Sequence, residues 1–217
     1  MNDYILEEIK PLRLKDTVKS ALKVFKNYPI THFPVIENNK LIGSFADEDL
    51  QTIDNKKVKL VEYAHLLNSF FADKKATVLE LLKIFADNDT NIIPILNDHK
   101  EYIGYFDLRD VLDVFSTSPF MIEESETLII EKLKNDYSMS QVTQIIEANG
   151  GELLGLYISE KKADTIQVTI KVVTDEINEI MQTFRRYDYK IISMHENDLY
   201  LEDLKSRSDY LQKYLEM

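Results

Sequence analysis

Asp16–Leu50, DTVKSALKVFKNYPITHFPVIENNKLIGSFADEDL, is repeated with variation in Ala76–Val111, ATVLELLKIFADNDTNIIPILNDHKEYIGYFDLRDV. An offset of 60 residues, rising to 61 after one inserted residue, superimposes the two stretches. Thr17, Val18, Leu22, Lys23, Phe25, Pro34, Lys40, Ile42, Gly43, Phe45 and Asp49 then meet Thr77, Val78, Leu82, Lys83, Phe85, Pro94, Lys100, Ile103, Gly104, Phe106 and Asp110. A unit repeated at a fixed period is one structural element built twice, and the copies pack on each other. Such a pair encloses a pseudo-twofold cleft, and small ligands favour concave interfaces of that kind.

Each copy has the same internal order. Val18, Ala21, Leu22 and Phe25, like Val78, Leu81, Leu82 and Phe85, recur at the spacing of one helix face. Thr17 and Thr77 stand at N-cap positions, and Thr77 with Glu80 predicts a capping box. A short apolar strand follows, ending at Pro34–Ile36 or Pro94–Leu96. The polar turns at 37–40 and 97–100 suit hairpins. A second strand carries one glycine, Gly43 or Gly104, and a second helix begins near Asp47 or Asp107. Short extended pieces at Leu12–Leu14 and Phe70–Ala72 precede the first helices, giving a β-α-β-β-α unit. Val58–Leu67 between the copies reads as partly helical. Pro34, Pro94, Gly43 and Gly104 are most simply strand-edge and turn residues.

The rhythm changes after Ser116-Thr117-Ser118-Pro119, a polar stretch that marks a linker. Leu128–Leu133 reads as a strand. A helix capped by Ser138, with Gln141 completing a capping box, has Met139, Val142, Ile145 and Ile146 on one face. Gly150-Gly151 ends it. Leu153–Ile158 is a strand, and Ile166–Val172 alternates strictly, as in a sheet with one solvated face. A helix through Ile177, Ile180, Met181 and Phe184 and a strand at Tyr189–Met194 complete a βαββαβ order, the ferredoxin-like pattern. The fold class is therefore α+β (mixed α/β). The expected division is 1–56 and 57–117 for the repeats, 118–125 for a linker and 126–200 for the ferredoxin-like domain. A terminal helix is expected over 201–217, with Leu204, Leu211 and Leu215 inward.

Composition narrows the function. The 217 residues carry a formal charge of −12 and no cysteine, which excludes disulfides, thiolate metal sites and cysteine nucleophiles. The acidity and the lack of basic clusters argue against nucleic acid and anionic membranes. No signal peptide or spanning segment is visible, so a cytoplasmic protein is expected. The four histidines, His32, His65, His99 and His195, lack metal-ligand spacing, and no glycine-rich phosphate loop is present. No metal site and no catalytic residue are expected.

These repeats resemble CBS domains, two of which in tandem form a Bateman module. The resemblance rests on Phe33-Pro34-Val35 with Gly43 to Asp49, and on Ile93-Pro94-Ile95 with Gly104 to Asp110. It covers about residues 5–115. The region of about 126–197 resembles an ACT domain through its element order, and the whole is similar to acetoin-utilisation AcuB-type proteins. The resemblance implies a regulatory protein and no enzyme. CBS pairs generally bind AMP, ATP-type nucleotides or S-adenosylmethionine, and ACT domains usually bind amino acids. A homodimer, a small-molecule effector and a regulated protein partner are implied.

Nucleotide-binding CBS domains close on Gly-apolar-apolar-Thr/Ser-X-X-Asp. A hydroxyl there stands at a helix N-terminus that favours phosphate, and the aspartate accepts from ribose hydroxyls. Here the hydroxyl position is Ala46 in one repeat and Asp107 in the other, while Asp49 and Asp110 are in place. Ala46 offers no donor, and Asp107 sets a negative charge where phosphate would lie. An uncharged or cationic adenosyl compound thus suits the second site better than ATP. Thr31 and Asn91, three residues before the prolines, stand where they can reach a base, and Arg109 is a candidate cationic arm. In the ACT-like part Asp136 fits a ligand loop, but no glycine follows it. The plainer readings are structural. Asp107 is a good N-cap, Asp110 a first-turn acid, Asp49 part of a solvated helix start, and Thr31 and Asn91 partners for local backbone. Two functions stay open on these residues: an adenosine-type sensor, and a ligand-free dimerisation scaffold.

Overall fold

Each first helix begins where the sequence supplies a cap. α1 (Val18–Asn27) starts on Thr17, whose side chain accepts from the Ser20 N–H, and α3 (Val78–Asp87) starts on Thr77 in the same way. The expected Thr77–Glu80 capping box is present, and Thr17 forms a second one with Ser20. These residues belong to a computed structural model that describes residues 4–195, 198–200, 204–205 and 207–208. The chain divides into two compact units, 1–117 and 118–217.

In the first unit, β1 (His32–Glu37) and β2 (Lys40–Ala46) form an antiparallel hairpin, followed by α2 (Asp47–Thr52). Asn38 and Asn39 both have positive φ, at 51° and 63°, as the favoured two-residue hairpin turn requires. The second copy has β4 (Ile92–Leu96), β5 (Tyr102–Asp107) and α4 (Leu108–Ser116), with β3 (Ala72–Asp73) parallel to β4. Register shifts fall between Val35 and Ile36 and between Ile95 and Leu96, the same place in both copies. A one-residue irregularity kept twice is part of the unit's design. A 3-10 segment, Leu60–Leu66, joins the copies where partial helix is expected.

The lead-in to each copy is shared between the two sheets. Leu6 bridges Tyr105 of β5, and Leu12, six residues on, bridges Val35 of β1. Asn68 bridges Ser44 of β2, and Ala72 then pairs with Ile95 of β4. Both crossings are held by paired backbone hydrogen bonds of 2.8–3.0 Å at Leu6–Tyr105 and Asn68–Ser44. Gly43 and Gly104 are accordingly not turn residues. Each sits where the other copy's lead-in crosses, and a Cβ on Gly104 would lie 2.6 Å from the Leu6 carbonyl oxygen and from Ile5 Cγ2. One core, which includes Phe33, Phe45, Leu50 and Leu60, also takes in Ile92 and Tyr105 of the second copy.

In the second unit, β6 (Glu126–Leu133), α6 (Met139–Ala148), β7 (Glu152–Lys161), β8 (Thr165–Val173), α7 (Ile177–Arg186) and β9 (Lys190–Ile191) follow in order. The sheet order is β7-β8-β6-β9, all antiparallel, which is the split βαβ arrangement of a ferredoxin-like domain. Ile166, Val168, Ile170 and Val172 are buried and alternate with half-buried neighbours, as their period predicts.

Four local expectations change. The Gln141 side chain does not return to the Ser138 backbone. It accepts from the Tyr189 hydroxyl at 3.0 Å and from Lys132 Nζ at 3.4 Å, a tertiary use that outcompetes the local box. Met139 is 45% exposed as the first residue of α6, and the buried face begins one turn later at Val142. The last strand shortens to Lys190–Ile191 because Ser193 Oγ, rather than a backbone carbonyl, accepts from the Ile129 N–H. The stretch 118–125 contains a helical turn, α5 (Pro119–Ile122), with proline at its first position. Its Phe120 ring packs on Gly155, and Lys171 Nζ lies 5.6 Å from the ring centroid. The terminal helix expected over 201–217, with Leu211 and Leu215, lies mostly outside the described residues. Leu204 is described and exposed.

Candidate functional site

Thr31 and Asn91 occupy equivalent places in the two copies, and they bind each other. Equivalent residues can touch only beside the pseudo-twofold axis, so this pair marks it. Asn91 Oδ1 accepts from the Thr31 N–H at 2.9 Å, and the Asn91 N–H donates to Thr31 Oγ1 at 3.1 Å. Asn91 Nδ2 donates to the Pro29 carbonyl at 2.7 Å, which fixes the orientation of the amide. The backbone continues the symmetry. The Asp47 N–H donates to the Thr31 carbonyl and the Leu108 N–H to that of Asn91, both at 2.9 Å. The first turns of α2 and α4 are thereby tied to the axis.

On the first-copy side a recess of about 230 Å³ opens, lined by Ile30, Thr31, His32, Ala46, Asp47, Glu48 and Asp89. Ala46 is the N-cap of α2 and makes no side-chain cap bond. The start of α2 therefore carries no hydroxyl, and three carboxylates surround the opening. His32 is 8% exposed, with Nδ1 3.1 Å from Thr31 Oγ1 and its ring edge-on to Phe70 at 5.3 Å. Burial holds its pKa below the usual value, against the opposing pull of Glu48, Asp49 and Asp89. Asp49 is half-buried on α2, where its carbonyl accepts from the Thr52 hydroxyl at 2.7 Å.

On the second-copy side Asp107 caps α4, accepting from the Arg109 N–H at 2.8 Å. Asp110 follows in the first turn. Burial, then Asp107, Asp113 and Glu8, raise its pKa. Glu8 comes from the lead-in whose Leu6 bridges Tyr105. Acids thus crowd this side as well, and the Arg109 side chain is exposed. Asp136 belongs to the other unit. It is exposed before α6, and its N–H donates to the Leu133 carbonyl at 3.0 Å. Among the described residues no group of three or more His, Asp or Glu is arranged to hold a metal ion.

The structure therefore joins Thr31 to Asn91, and places Asp107, Arg109 and Asp110 together at the start of α4. His32, Asp47, Glu48 and Asp89 are the lining residues that sequence reasoning passed over. Laying the copies side by side exposes one signal, since Ile92 stands opposite His32 and an apolar position has become titratable.

The CBS domain family model matches residues 2–54 and 67–117. Inosine-5'-monophosphate dehydrogenase of Methanocaldococcus jannaschii is 24% identical over 148 residues, which cover 68% of this chain and 30% of that protein. Uncharacterized protein MJ0188 of the same organism is 24% identical over 173 residues, 75% of this chain and 64% of that protein. The chain spans less than two thirds of the length of either relative. A CBS domain pair/ACT domain protein from Thermotoga maritima aligns with a TM-score of 0.47 and 15% identity, covering 52% of this chain and 93% of that one. Residues 2–54 and 67–117 are thus two CBS domains in tandem, and this part of the chain belongs to the CBS domain family.

Proposed function

We propose that the chain is a non-enzymatic regulatory protein whose CBS pair senses an adenosine-type metabolite without net negative charge. Adenosine and the cationic S-adenosylmethionine are the chemical models. The observation that carries this reading is the acidic lining on both sides of the axis: Asp47, Glu48 and Asp89 around the recess, and Asp107, Asp110 and Glu8 at α4. A phosphate placed there meets carboxylates, and Ala46 supplies no hydroxyl to hold it. At about 230 Å³ the recess is smaller than the roughly 300–1,000 Å³ of full ligand pockets, so a nucleoside would fill it and a longer ligand would extend into solvent. Occupancy would act on the Thr31–Asn91 contact and so on the packing of the copies, which is how binding would bias a partner or a homodimer interface. The ferredoxin-like unit, with no glycine in the 135–138 loop, serves as a dimerising or regulatory module in this reading.

Calorimetry with adenosine, S-adenosylmethionine, AMP and ATP tests the proposal. The first two are expected to bind at least tenfold more tightly than ATP, with Glu48→Ala narrowing the difference. ATP binding as tightly as adenosine would overturn the charge argument. A second reading has its own support. Thr31 and Asn91 already satisfy each other, as a ligand-free scaffold requires. Absence of binding by all four compounds, with the oligomer of Asp110→Ala unchanged, would favour that scaffold.

A further inference from the structure

We propose that His32, Thr31 and Asn91 form a proton-operated relay across the boundary between the two copies. In it, the charge state of His32 decides which copy the Thr31 hydroxyl serves. The relay lies at the recess assigned above to a ligand, but it needs no ligand to work.

The argument is one of donor counting. A threonine hydroxyl has one proton and two lone pairs. Thr31 Oγ1 already accepts from the Asn91 N–H at 3.1 Å. Its single proton has two close acceptors, His32 Nδ1 at 3.1 Å in its own copy and Asn91 Oδ1 at 3.2 Å in the other, with Thr90 Oγ1 more distant at 3.5 Å. The Asn91 amide cannot rotate to blur the choice, because Nδ2 is committed to the Pro29 carbonyl. When His32 is neutral with its proton on Nε2, Nδ1 accepts and the hydroxyl points at the ring. When His32 is protonated, Nδ1 becomes a donor and Oγ1 must accept from it. The hydroxyl proton is then released to Asn91 Oδ1, across the axis.

The surroundings set the sense of the response. Glu48 and Asp49 on α2 and Asp89 in the turn before β4 face the ring and favour its charging, and Asp47 joins them in the lining. Phe70 meets it edge-on and contributes no charge. Burial opposes charging and prevails, so the ring is neutral at pH 7 and titrates below its ordinary 6.5. The relay is one-sided, because Ile92 stands at the equivalent place in the second copy.

The test is an NMR titration of the ligand-free full chain from pH 8 to pH 5. The His32 ring is assigned with His32→Asn, and the Thr31 and Asn91 amide shifts are followed. His32 is expected to carry its proton on Nε2 at pH 8. The Asn91 amide should move with the His32 midpoint, below pH 6.5. In Thr31→Val the ring should still titrate while the Asn91 amide no longer follows it. If Thr31→Val does not fold, Thr31→Ala takes its place with the same expectation, and in His32→Asn the Asn91 amide should be flat over this range. A ring protonated on Nδ1 at pH 8, an Asn91 amide indifferent to His32, or coupling that survives loss of the hydroxyl would each overturn the relay. Because no ligand is added, failure of the adenosine reading and failure of the relay give separate results.

Discussion

Gly104→Ala puts a methyl group into the crossing between the N-terminal lead-in and β5. The new Cβ would sit 2.6 Å from both Ile5 Cγ2 and the Leu6 carbonyl oxygen, at a φ of +142°. One of those neighbours is backbone, so no rotamer change relieves it. The lead-in must move, and the bonds from Leu6 N–H to the Tyr105 carbonyl and from Tyr105 N–H to the Leu6 carbonyl lengthen or break. Two such bonds are worth about 1 kcal/mol each, and the unfavourable φ adds roughly another 1 kcal/mol. The expected loss is about 3 kcal/mol, or roughly 9 °C in Tm for a chain of this size. Two controls separate the parts. Gly43→Ala meets the equivalent crossing at 3.0 Å and should cost about half as much, because a shift of a few tenths of an ångström suffices. Gly150→Ala has φ +75° and nothing within 4 Å, so it reports conformation alone, about 1 kcal/mol. Urea unfolding gives the three values, and hydrogen exchange at Leu6 and Tyr105 shows whether the crossing opened. A Gly104→Ala loss no larger than that of Gly150→Ala, or wild-type protection at Leu6, would refute the reasoning.

Asn91→Ala removes an acceptor from the Thr31 N–H and a donor from the Pro29 carbonyl, and should lower stability by about 2 kcal/mol in urea unfolding. Asp110 is an acid whose pKa is raised in the fold, so the folded state binds its proton more tightly than the unfolded chain and is penalised once the group ionises. Asp110→Asn should therefore raise Tm at pH 7, with the gain fading as the pH falls through the raised pKa and gone below the ordinary 3.8, and thermal scans across that range check the sign. Gly155→Ala brings a Cβ within 2.9 Å of the Phe120 ring, which can swing away on its own connector. Stability should change by less than about 1 kcal/mol, while limited proteolysis within residues 118–125 should accelerate.

Most of the fold could be read from the residues, because repetition supplied a second sample of every signal. Thr17 and Thr77, the 3.6-residue spacing through Phe25 and Phe85, and the alternation through Val172 all act locally. What escaped was tertiary. Gly43 and Gly104 look like turn glycines until another segment is seen to cross them. Gln141 fits a capping box until Tyr189 and Lys132 compete for its oxygen. At the site, Asp107 acts as the N-cap its residue type suggests, and the acidic character of the second side was visible in Asp107 and Asp110. The contribution of Glu8 and Asp89 was not, since each comes from a different segment and is brought in by chain packing alone. Thr31 and Asn91 stand out in the sequence as positions that can reach a base, yet an offset of 60 gives no hint that they meet each other.

The reciprocal crossing of the two lead-ins has a consequence for any attempt to divide the first unit. Leu6 and Asn68 each complete a sheet to which they do not belong by sequence. One copy produced alone would carry a dangling arm and, at Tyr105 or Ser44, a bare edge waiting for that arm. Two identical molecules would satisfy both defects by exchanging arms, the usual route to a domain-swapped dimer. The tandem chain is thus a swapped dimer made permanent by a peptide connection. Its halves are bound to fold together, and a cut between residues 55 and 59 should leave an interlocked pair rather than two free domains.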